Sequence, residues 1–96
     1  MKDVKTCVKG VVSGVVQGVF FRKHVQSAAL RYQVNGYAKN LADGSVEVLL
    51  LGEREQVGQV KHAVEQGSPH SRVDGVVWSE SDESLPVERR EGFTVC

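Results

Sequence analysis

The apolar residues of this chain switch spacing back and forth along its length, and the order of switching is what most constrains its fold. Val4, Thr6, Val8, Gly10 and Val12 alternate with Lys5, Cys7, Lys9, Val11 and Ser13. A period of two with this β-branched content predicts a strand. From Phe21 the spacing lengthens, and Phe21, Val25, Ala28, Ala29 and Tyr32 fall on one helical stripe. Asn35-Gly36 is the expected left-handed stop of that helix. GYAKNL (36–41), the turn Ala42-Asp43-Gly44 and SVEVLLL (45–51) then predict a hairpin, because Asp-Gly supplies the backbone angles a tight turn needs. Val57, Val60 and Val64 return to helical spacing within EREQVGQVKHAVEQ, which Gly67 and Pro69 should end. RVDGVVWSE (72–80) reads as a strand, SDESLPVERREG as a polar loop, and GFTVC as a short closing strand.

The order is βαββαβ plus a terminal strand. Each helix has one apolar stripe, so both should lie on one face of an antiparallel sheet. This is an α+β fold, the ferredoxin-like split βαβ sandwich. The 96 residues suit a single domain over 1–96. In such a unit the first two strands run parallel, with the third between them, so their C-terminal ends share one edge of the sheet. One of these ends is the segment GVVQGVFFR (14–22) and the other is Asn40. Arg22 and Asn40 should therefore face each other.

The chemistry of that edge follows from its residue types. A glycine-bracketed loop can turn successive N–H groups inward as an anion-binding nest. The loop feeds a helix N-terminus, whose first N–H groups lack helical partners. A cation at that end is disfavoured by the helix dipole unless an anion accompanies it, and Arg22 offers a planar fork of donors suited to phosphoryl oxygens. Asn40 cannot act as a base, but its amide can hold a water. A Gly-x-x-x-Gly segment alone is usually only a turn, and it is neither a Walker loop nor GxGxxG.

Together these segments resemble the acylphosphatase family. GVVQGVFFR is similar to the family's first signature, Gly-x-Val-Gln-Gly-Val-x-Phe-Arg. GYAKNLADGSVEVLLLG resembles the second, with Gly36, Asn40, Gly44, Val46 and Gly52 in matching places. GSPHSRVDGV and GFTV look like the family's later strands. The resemblance implies hydrolysis of the carboxyl–phosphate anhydride of a small acyl phosphate, without metal or cofactor. It implies that Arg22 binds phosphate and Asn40 positions the attacking water. It also implies that the amides of Val15, Val16, Gln17, Gly18, Val19 and Phe20 form the cradle.

Several function classes fit poorly. Twelve Lys and Arg balance twelve Asp and Glu, so no nucleic acid partner is expected. An RNA-binding module of the same fold would need aromatics on its middle strands, which here carry none. An anion sensor could use the same cradle without turnover; Asn40 favours hydrolysis. His24, His62 and His70 lack metal-ligand spacing, and His24 is expected to face solvent. Ser13, Ser27 and Ser45 have no recognisable base. Cys7 and Cys96 read as two free thiols, and Trp78 as packed on the sheet. No apolar run suits a membrane span or signal peptide, so a cytoplasmic monomer without membrane contact is expected.

Overall fold

The computed structural model describes residues 5–18, 20–80 and 92–95. Val4, Val19, the polar loop at 81–91 and Cys96 lie outside the described residues. The elements are β1 (Lys5–Val15), α1 (Phe21–Arg31), β2 (Asn35–Asn40), β3 (Val46–Glu53), α2 (Arg54–Gln66), β4 (Arg72–Glu80) and β5 (Phe93–Val95). The sheet has the order β4-β1-β3-β2-β5. β1 and β2 are both antiparallel to β3 and so run parallel to each other, with α1 as the crossover between them.

The sheet departs from the expected antiparallel form at one edge. β5 pairs parallel to β2, with Gly36, Tyr37 and Ala38 opposite Phe93, Thr94 and Val95. A short terminal strand carries no directional signal in its own residues, so its sense is decided by where the chain returns. Among the described residues the result is two helices on a mixed five-stranded sheet.

One core fills the space between sheet and helices. Val12, Val46, Val48 and Leu50 rise from the strands to meet Phe21, Val25 and Ala29 of α1 and Val57, Val60 and Val64 of α2, all buried. Burying each of the valine, leucine and phenylalanine side chains contributes about 1.5–3 kcal/mol relative to leaving it exposed. Trp78 does more than lie on the sheet. Its ring covers Gly10 on the neighbouring strand, Lys61 Nζ lies 5.2 Å from the ring centroid, and its Nε1–H donates to Glu65 Oε2 at 2.8 Å. The indole thus ties β4 to α2. His24 does not face solvent freely either: its Nε2 meets the Ala63 carbonyl of α2 at 3.3 Å.

Helix α1 ends earlier than Asn35-Gly36. Gln33 takes the left-handed position, with φ of 60°, and the Val34 N–H closes the end on the Ala29 carbonyl at 2.8 Å. That pattern satisfies the last carbonyls of a helix without a glycine. Gly36 is instead a strand residue with φ of 142°, where a Cβ would sit 1.8 Å from the Leu49 carbonyl oxygen.

Candidate active site

The loop after β1 is shaped by its backbone. The β1–β4 register slips between Ser13 and Gly14, where Asp74 of β4 is the extra residue, and β1 stays paired through Val15. Gly14 has φ of 125°, and a Cβ there would lie 2.1 Å from the Arg72 carbonyl oxygen, so only glycine fits. Gly18 and Phe20 also have positive φ, at 75° and 61°. For Phe20, the residue capping α1, this is an outlier of the kind that clusters at functional sites. Phe20 is 77% exposed, while Val16 and Phe21 on either side of it are buried and anchor the loop to the core.

Beside this loop lies a pocket of about 260 Å³, lined by Val16, Gly18, Phe20, Phe21, Arg22, Lys23 and Val95. Its walls combine two cations with apolar carbon. α1 has no acidic residue in its first turn, so Arg22, Lys23 and the positive end of the helix dipole act with the same sign. Among the residues expected at the cradle, Val16, Gly18, Phe20 and Arg22 line the pocket; Val15 and Gln17 do not, and Val19 lies outside the described residues. Lys23 and Val95 were not expected. A second basic residue beside Arg22 was a readable signal for Lys23. Nothing in the sequence placed Val95, which arrives on the distant β5.

Asn40 ends β2 next to this loop without lining the pocket. It pairs with Val46, which on its other side pairs with Val12 of β1. Asn40 is therefore two strand spacings, roughly 10 Å, from Val12, shortly before the loop begins. The connection is direct as well. Gln17 Nε2 donates to the Leu41 carbonyl at 2.8 Å and to the Ser45 carbonyl at 2.9 Å, joining the loop to the β2–β3 turn. That turn is further held by Asp43, whose Oδ1 accepts from the Ser45 N–H at 2.9 Å and from the Ser45 hydroxyl. These hydrogen bonds hold the Asp43 carboxyl below its ordinary range. Asn40 Oδ1 is buried and, among the described residues, has no hydrogen-bond partner. A buried acceptor left without a protein partner is the exception in folded chains.

Among the described residues, no group of three or more His, Cys, Asp or Glu could hold a metal ion. Nor is any helix there long and apolar enough to cross a membrane.

Comparison with known proteins places the chain among relatives of one kind. The family model described as "Acylphosphatase" matches residues 8–95. A curated acylphosphatase of Coxiella burnetii is 41% identical over 91 residues, covering 95% of this chain and 92% of its own. A solved acylphosphatase structure from Coxiella burnetii superposes with a TM-score of 0.84 at 36% identity, covering 96% of this chain and 93% of that one. One from Bacillus subtilis does so with a TM-score of 0.84 at 33% identity, covering 97% and 99%.

Proposed function

The chain belongs to the acylphosphatase family, enzymes that hydrolyse acyl phosphates, and from that premise we propose how its own residues divide the reaction. Arg22 binds the phosphoryl group, its guanidinium fork spanning two oxygens. The loop amides from Val15 to Phe20 and the N-terminus of α1 complete the cradle. Asn40 holds the attacking water through Oδ1. The observation that carries this reading is that oxygen itself: a buried acceptor without a protein partner, two strands from the loop and linked to it through Gln17.

The water oxygen bonds to phosphorus as the bond from phosphorus to the bridging oxygen breaks. The electron pair of that bond leaves with the carboxylate, and the water's proton passes to a phosphoryl oxygen. The products are a carboxylate and inorganic phosphate. The leaving carboxylate is the conjugate base of an acid with a pKa of about 4, so it departs without a general acid. Charge in such a transition state spreads over the phosphoryl oxygens, so positioning and electrostatics supply most of the acceleration.

The substrate class is a small acyl phosphate, and a pocket of about 260 Å³ suits a phosphoryl group with a short acyl chain. One chain is the working unit, acting in the cytoplasm without metal, cofactor or nucleic acid. Phosphate release from acetyl phosphate tests the reading, with EDTA expected to leave the rate unchanged. Binding of inorganic phosphate without turnover would replace hydrolysis by anion sensing.

A further inference from the structure

We propose that Gln17 is the positioning residue that sets Asn40 against the phosphate loop, an inference that rests on the hydrolytic reading above. The side-chain amide has two N–H donors, and two carbonyls receive them, at 2.8 and 2.9 Å. Both carbonyls belong to the turn that begins immediately after Asn40.

That turn is already closed without Gln17. The Leu41 N–H donates to the Ser45 carbonyl at 2.9 Å, and the Gly44 N–H to the Leu41 carbonyl at 3.2 Å. Asp43 braces Ser45 from within the turn. Each carbonyl that Gln17 reaches therefore keeps a backbone partner of its own. The two bonds from Gln17 add nothing that the hairpin lacks; what they add is a fixed distance between two segments far apart in the chain. On one side, Gln17 sits between buried Val16 and pocket-lining Gly18, so its backbone moves with the cradle. On the other, Leu41 is covalently the next residue after Asn40. Among the described residues no hydrogen bond to Asn40 Oδ1 orients it, so its aim depends on the backbone it stands on. Gln17 is the side chain that ties that backbone to the loop.

The test uses acetyl phosphate with the wild type, Gln17→Met, Gln17→Glu, Asn40→Ala and the Gln17→Met/Asn40→Ala double variant. Wild-type turnover checks the hydrolytic reading by itself; the variants bear on Gln17. Met keeps the length and removes both donors, and a misplacement of this kind should lower kcat by about 10–100-fold. Because Gln17 acts through Asn40, the same substitution in the Asn40→Ala background should lower kcat by less than about twofold further. Gln17→Glu presents a carboxylate to two acceptors, and protonation restores one donor. Its kcat relative to wild type should rise as pH falls toward about 4.3, whereas the ratio for Gln17→Met should stay flat. Asp43, the ionisable group of this turn, is held below its ordinary value, and reading each rate relative to wild type at the same pH cancels the titration of the substrate. Should Gln17→Met fail to fold, the pH limb of Gln17→Glu carries the test. Wild-type kcat in Gln17→Met overturns the proposal. So do fully multiplicative losses in the double variant, or a wild-type pH profile in Gln17→Glu. Lower thermal stability with kcat and pH profile unmoved would make Gln17 a structural tie only.

Discussion

Asn40→Ala should separate catalysis from stability. A buried acceptor with no protein partner carries a desolvation penalty of about 1–3 kcal/mol, which truncation removes. Against that stands the lost packing of a small amide group at a half-buried strand end, a contribution of similar size and opposite sign. The net change in unfolding free energy should stay within about 1 kcal/mol. For a domain of this size that is a shift of about 4–8 °C at most in Tm. Catalysis should respond differently. Removing one group that holds a reacting species commonly lowers kcat by about 10²–10³-fold, or roughly 2.7–4 kcal/mol of transition-state stabilisation. Affinity for inorganic phosphate should change little, because Arg22 and the loop remain. Urea unfolding followed by fluorescence of the single tryptophan, Trp78, gives the first quantity. Phosphate release at saturating acetyl phosphate gives the second. A stability loss above about 2 kcal/mol would mean that the fold itself holds Oδ1. An unchanged kcat would remove Asn40 from the reaction.

Arg22→Lys keeps the charge and loses the planar fork. It should lower kcat/KM by about 10–100-fold and weaken inhibition by phosphate, both read from steady-state kinetics. Gly36→Ala drives a Cβ to 1.8 Å from the Leu49 carbonyl oxygen within the β2–β3 ladder, and should destabilise by about 3 kcal/mol or more, measured by urea unfolding. Asp43 has its carboxyl held below its ordinary 3.8 in the folded state. Its contribution is therefore present above that value and lost as pH falls through the lower folded one. Asp43→Asn should flatten the decline in stability below about pH 4 in an acid titration followed by circular dichroism.

The element order and most of the core were legible in the sequence. Period-two and helical spacing are local properties, and Val57, Val60 and Val64, like Phe21, Val25 and Ala29, are buried as their spacing implied. The turn at Asp43-Gly44 was also legible, because its chemistry lies in adjacent residues. The end of α1 was misplaced. A glycine beside an asparagine is the commoner stop, yet Gln33 adopted the left-handed position, and Gly36 was needed for a close approach between strands. No local pattern distinguishes those two uses of glycine.

The site divides along the same line. The sequence by itself determined which residue types stand at the loop and at the end of β2, because a glycine bracket, an arginine at a helix start and an asparagine at a strand end are written in consecutive letters. Connectivity alone put the two segments at one edge. Only the tertiary structure decided the rest: that Gln17 reaches across to the hairpin carbonyls, that Asn40 Oδ1 is buried without a partner among the described residues, and that Val95 lines the pocket. Such contacts depend on distances of a few ångströms between segments separated by whole elements. Packing fixes those distances, and residue order does not carry them.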